Sequence, residues 1–213
     1  MEFVVLFMVI LLAIIFLKIK RQVDQINLLN KYLYIQKRPD KYVEQMDTIL
    51  SRKLSPKNII INNIQKSTGL FYEGKFQEVI DLTNEIKKMP KNWEPIYYQN
   101  IILSLLFIGE TEKAVDTFEK ANTIFEEYEK NNYYKEFIDI VKNVVDFYKG
   151  NASKNYFAEL AKSGANDYRK SFGYYFLGKI NKKENNISAT KANFNNAMEY
   201  GKGSFIEEFS KAE

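Results

Sequence analysis

The stretch GKFQEVIDLTNEIKKMPKN (Gly74–Asn92) decides the fold, because the chain has already stated it once. DKYVEQMDTILSRKLSPKN (Asp40–Asn58) lies 34 residues earlier, with Lys, Glu, Asp and the closing Pro-Lys-Asn in the same places and Tyr42 answering Phe76. A third stretch, GETEKAVDTFEKANTIFEEY (Gly109–Tyr128), follows Gly74 at a spacing of 35. Apolar residues recur in these stretches at helical spacing: Tyr42, Met46, Ile49 and Leu50; Phe76, Val79, Ile80 and Ile86; Ala114, Val115, Phe118, Ala121, Ile124 and Phe125. Another apolar-periodic run precedes each: Leu29, Tyr32, Leu33 and Ile35; Ile60, Ile61, Ile64 and Phe71; Tyr98, Ile101, Leu105 and Leu106.

Punctuation separates the runs. Pro39, Gly74 and Gly109 divide paired runs, as residues that end or turn helices do. Pro-Lys-Asn divides one pair from the next, placing Asn58 or Asn92 to cap the following helix and Pro95 in its first turn. Each unit therefore reads as a helical hairpin. A lone hairpin cannot bury its apolar face, whereas stacked neighbours can, and the period predicts an all-α array.

The unit resembles the tetratricopeptide repeat, a helix–turn–helix of the same length with aromatic, Leu-Gly, Tyr, Ala, Phe and Ala positions. In PIYYQNIILSLLFIGETEKAVDTFEKA, Tyr98, Ile101 and Leu105 fall on the first-helix positions, and Ala114, Phe118 and Ala121 on the second. In SFGYYFLGKINKKENNISATKANFNNAMEYG, Tyr174, Leu177-Gly178, Phe194 and Ala197 match. The two earliest units depart from the pattern, with Gln45 and Val79 where alanine is usual. Residues 131–164 do not register on it, although they carry a strong first helix (YYKEFIDIVKNVVDFY) and a short second one (SKNYFAELAKSG). The closing GSFIEEFSKAE reads as a capping helix whose Phe205, Ile206 and Phe209 cover the end of the stack.

The resemblance implies a concave groove, lined by the first helices, that holds an extended peptide or a partner helix. By position the groove includes Thr68, Tyr72, Gln99, Leu103, Leu106, Tyr148, Tyr175 and Lys179. Its aromatic and aliphatic character fits an apolar or helical ligand better than an acidic tail.

The N-terminus carries a different signal. Phe3 to Leu17 is fifteen apolar residues without a break, followed by Lys18, Ile19, Lys20 and Arg21. At about 1.5 Å per residue, Met1–Ile19 rises roughly 28 Å, close to the hydrocarbon thickness of a bilayer. Lysines at its end reach the headgroups. A cleaved signal peptide wants its cations first and a small-x-small site after; here the cations follow and no such site appears. The expectation is an uncleaved transmembrane helix, residues 1–21 with the basic flank, ahead of a repeat domain at 22–213. Residues 18–60 hold ten Lys/Arg and four Asp/Glu, a net of +6, whereas residues 61–213 hold 21 and 22. This asymmetry places the domain in the cytoplasm, the N-terminus outside and the chain in the cell membrane. It also argues against nucleic acid, which would want the excess on the distal domain.

Chemistry is restricted. The chain has no cysteine and no histidine, which removes disulfides, thiolate zinc sites and His-activated nucleophiles. Its 27 Lys, 4 Arg and 21 Asn are the bias of an AT-rich bacterial coding sequence, and they leave few of the bidentate forks that base readers use. Glu126, Glu127 and Glu129, and the Glu207-Glu208 pair, diverge around their helices and converge on no metal. No cofactor, metal or catalytic residue is expected. The resulting reading is a membrane-tethered, non-catalytic protein-interaction module, an adaptor or assembly scaffold. One alternative keeps the fold as an exported, membrane-tethered chaperone-like module; another is an enzyme working through carboxylates or lysine.

Overall fold

The computed structural model describes residues 2–213; of the side chains within them, those of Glu2, Val4, Arg21, Gln22, Gln25, Ile26 and Leu29 lie outside the description. The described chain is all-α, with no strand. Helix α1 (Glu2–Leu28) runs into a π-helical segment (Leu29–Ile35), so the boundary expected after residue 21 falls inside a continuous helix. Then follow α2 (Pro39–Leu50), α3 (Pro56–Tyr72), α4 (Phe76–Asn84), α5 (Glu94–Phe107), α6 (Thr111–Tyr128), α7 (Asn132–Tyr148), α8 (Lys154–Ser163), α9 (Asp167–Lys183), α10 (Ile187–Tyr200) and the short α11 (Phe205–Lys211).

The repetition is clearest in the turns. Lys37, Gly74, Gly109, Gly150 and Asn185 all have positive φ, from 52° to 91°, and each sits between the two helices of a pair. In the last four, the amide after the left-handed residue returns to a carbonyl five residues back: Lys75 to Leu70, Glu110 to Leu105, Asn151 to Asp146 and Asn186 to Asn181. This closure satisfies the orphan carbonyls of the first helix and reverses the chain at a fixed angle. Residues 131–164, which the sequence leaves without a register, form α7 and α8 on either side of Gly150, with a cleft between the two helices.

The helix starts differ in part from expectation. Ser55, not Asn58, caps α3, its hydroxyl accepting from the Asn58 amide, with Pro56 in the first turn. Asn92 lies in a single 3-10 turn before α5, and its carbonyl accepts from the Tyr134 hydroxyl at 2.6 Å. Pro95 does fall in the first turn of α5. In the first unit Leu33 is buried but Ile35 is exposed.

Successive pairs lean on one another. The first helix α3 packs on α2, α4 and the next first helix α5, and α5 packs on α4, α6 and α7; α9 is held between α8 and α10. A buried polar link joins α3 to α5, where Asn100 Nδ2 donates to Ser67 Oγ and Thr68 Oγ1 at 2.9 and 3.0 Å. At the far end, Gly178 leaves room for the Phe194 ring, which would lie 2.6 Å from a Cβ there.

The stack then closes on itself. Tyr34 of the π-helical segment meets Tyr168 of α9 edge to face, and Tyr72 of α3 stacks on the same Tyr168 with ring centroids 4.6 Å apart. Lys37 Nζ pairs with Asp167 at 2.8 Å and donates to the Tyr200 carbonyl. First and last hairpins are thus in contact.

Among the described residues, α1 packs chiefly on the π-helical segment that continues it. Its described apolar side chains from Phe3 to Val23 are exposed around the helix, for example Phe3 at 87%, Leu12 at 62% and Phe16 at 65%. Among the described residues no helix is long and apolar enough to cross a membrane. Glu2, Val4 and Arg21, part of the expected anchor and its flank, have side chains outside the description, and Met1 lies outside it altogether.

Candidate functional site

First helix α5 packs on both α3 and α7, and most of the residues expected to line an open groove are covered. Tyr72, Gln99, Leu103, Leu106 and Tyr175 are buried, while Thr68, Tyr148 and Lys179 are half-buried. Two contacts account for the difference from an open groove. The fifth hairpin's first helix comes across to the second's, through the Tyr72–Tyr168 stack and a Phe71–Phe172 stack at 6.0 Å. The space that remains is filled from within the chain.

Helix α11 fills it. The sequence places Phe205, Ile206 and Phe209 over the end of the stack; α11 does pack on α10 and α9, and Phe205 reaches further, into an aromatic ring set drawn from several hairpins. Its centroid lies 5.2 Å from Phe71 of α3, 4.9 Å from Phe76 of α4, 4.8 Å from Phe107 of α5 and 6.1 Å from Phe172 of α9. Phe209 packs 6.1 Å from Phe76 and 6.0 Å from Phe107. Most of these pairs are edge-on or tilted, the arrangement aromatic quadrupoles prefer. Gly74 permits the approach, since a Cβ there would sit 2.9 Å from Phe205 Cβ. Ile206 is buried beside Gly201, and the outward face of α11 carries Glu207, Glu208 and Lys211, which pair with one another.

Beyond α11 the chain is pinned electrostatically. Glu213 accepts from Lys179 Nζ at 2.5 Å and from Lys182 Nζ at 2.8 Å, both on α9. Burial opposes its ionisation, but the two lysine hydrogen bonds outweigh that and hold the carboxyl below its usual range. Tyr148 and Tyr175 face the same carboxylate. Burial, then the Glu213 charge, pushes the Tyr148 phenol up to about 12, and burial, then Tyr148 and Glu213, raises that of Tyr175.

The structure therefore brings together three of the expected residues, Tyr148, Tyr175 and Lys179, around Glu213. It joins Thr68 to Asn100, and leaves Tyr72, Gln99, Leu103 and Leu106 within the core. Sequence reasoning missed Phe107, Phe172 and Lys182. The available signal was in α11 itself, whose Phe205, Ile206 and Phe209 form one apolar face and need aromatic partners somewhere. The carboxylate clusters are accounted for locally: Glu126 accepts from Asn122 on its own helix, and Glu129 pairs with Lys142 at 3.0 Å. Among the described residues no group of three or more acidic or other ligating side chains is placed to hold a metal.

No family model, curated protein or solved structure matches the chain.

Proposed function

We propose that the chain is a membrane-tethered interaction module of tetratricopeptide-like hairpins, an adaptor or assembly scaffold that holds a partner protein at the cytoplasmic face of the cell membrane without catalysis. The observation that carries this reading is the contrast within one chain. A stack of hairpins buries its apolar surface, while α1 keeps apolar side chains exposed on every side. Such surface is unfavourable in water at about 25 cal/mol per Å², and a lipid or protein environment relieves that cost. The fifteen-residue apolar run and the cations after it make lipid the environment of choice, with α1 as the anchor and the basic flank on the cytoplasmic side. The repeating left-handed turns and the stacking of successive first helices support an α-solenoid of the tetratricopeptide type, whose function is recognition by surface.

The alternative exported module has the same fold with the opposite topology, so protease treatment of intact cells separates the two. Digestion of the helical domain only after the membrane is permeabilised is the expected outcome; digestion in intact cells assigns the domain to the outer face. The adaptor role is tested by crosslinking the full chain in native membranes. A reproducible adduct with one other protein is expected, and a folded chain that yields no adduct with several crosslinker chemistries contradicts it.

A further inference from the structure

The helix that fills the groove has the properties of a ligand more than those of a wall. Helix α11 has seven residues, too few to be stable as a helix on its own, so it is helical because of what it lies against. A short turn with Gly203 at φ 78° connects it to α10, which already completes the last hairpin. Its backbone packs on α10 and α9, but most of its ring contacts reach hairpins distant in sequence, through Phe71, Phe76 and Phe107.

Its fit is also incomplete. Ser210 is buried against the stack, yet its hydroxyl has no hydrogen-bond partner. A buried hydroxyl left without a partner is unfavourable, and a methyl group in its place would not be. Beside it, between α10 and α11, a cleft of ≈ 400 Å³ reaches Phe194, Met198 and Glu213. A bulkier helix would fill that space.

We infer that α11 is an internal ligand, and that the groove accepts in its place a partner helix of the same chemistry. That helix carries an aromatic and an aliphatic residue side by side, a second aromatic four residues after the first, and a carboxylate eight residues after the first, as Phe205, Ile206, Phe209 and Glu213 do. The rings enter the Phe71–Phe76–Phe107–Phe172 set, and the carboxylate is taken by Lys179 and Lys182. Where α11 carries Ser210, the partner carries a small apolar residue. Binding displaces α11, which keeps the groove dry and closed until such a helix arrives. This is helix-in-groove recognition with the unbound state held shut by the chain itself. The inference rests on the interaction-module reading for the groove, and adds the ligand's chemistry and the gate.

The test uses the full chain in detergent micelles and a fluorescein-labelled synthetic peptide, SFIEEFSKAE, carrying the sequence of residues 204–213. The F209A/E213K double variant loosens α11 without altering the receiving residues. It is expected to bind the peptide at least tenfold more tightly than the unaltered chain, because its own helix competes less. A peptide with alanine at the Ser210 position is expected to bind more tightly still, and one with alanine at the Phe205 position at least tenfold more weakly. Adding K179E/K182E to the loosened chain should weaken binding. A loosened variant that keeps its helical circular dichroism but binds no better than the unaltered chain overturns the inference. So does a concentration-dependent dimer formed without peptide, which assigns the groove to the α11 of a second copy.

Should the variant not fold, hydrogen exchange on the unaltered chain decides the point. Amides of α11 are expected to exchange at least tenfold faster than those of α9, and equal protection overturns the gate. Peptide exchange needs neither membrane nor native partner, so its failure leaves the tethered-adaptor reading standing, whereas a failed crosslink leaves the groove chemistry standing.

Discussion

Gly173 lies where α9 crosses α8, and a Cβ built on it would lie 2.3 Å from Ala161 N and 2.7 Å from the Phe157 carbonyl oxygen. Backbone cannot step aside as a side-chain tip can, so Gly173→Ala must separate two helices, at or above the ~1–3 kcal/mol typical of overpacking. At Gly178 the obstacle is the Phe194 ring, a side chain rather than backbone, and Gly178→Ala should cost less. Urea midpoints are expected to rise in the order G173A, G178A, unaltered chain. The tyrosines give a second prediction. Burial raises the phenol pKa values of Tyr34, Tyr42, Tyr72, Tyr168 and Tyr175 above the ordinary 10.0. Above about pH 10 the unfolded chain releases these protons while the folded chain retains them, so stability is intact below that value and falls as pH rises beyond it. Absorbance at 295 nm should show their ionisation in the same step as the loss of helical circular dichroism; smooth titration at ordinary values with the fold intact would refute their burial. Residue identity was legible where two partners belong to one hairpin, as with Gly178 and Phe194. It was not legible at Tyr72 or Leu103, because helical spacing says which face a residue occupies and not whether solvent or another helix lies opposite.

Among elements, the left-handed turn repeats most faithfully and has the simplest energetics. No atom lies within 4 Å of a Cβ built at Gly109 or Gly150, so alanine there encounters only the conformational cost of a left-handed L-residue, roughly 1–2 kcal/mol. Gly74 has the same backbone geometry but faces Phe205 Cβ at 2.9 Å. The expectation is that G109A and G150A lower stability by similar amounts and G74A by clearly more, the excess measuring the contact with α11. Equal effects in denaturant unfolding of all three would mean that Phe205 does not lie against that turn. Two of these turns were readable from Gly74 and Gly109. Those at Lys37 and Asn185 were hidden, because a residue other than glycine takes the left-handed conformation there, and Gly150 lies at a stretched spacing. Helix α11 does pack on α9 and α10 as a capping helix would; its apolar face was plain in the sequence, but the ring partners of Phe205 and Phe209 depend on where the second, third and fifth hairpins come together.

At the scale of the molecule, the period predicts the two-helix units and their succession, and it is silent on closure. The first and last units meet through Tyr34–Tyr168 and Lys37–Asp167, and Phe205 of α11 joins the rings of the second, third and fifth hairpins. Local patterning determines each hairpin, whereas closure depends on the sum of small rotations between neighbours, to which every unit's departures contribute. What remains outside this economy is α1, an apolar helix that the stack leaves uncovered. The proposed membrane tether rests on this helix. The most direct measurement is alkaline carbonate extraction of membranes from cells producing the full chain. Retention in the membrane pellet is the expected result, and release of the chain into the supernatant alongside peripheral proteins would contradict the account.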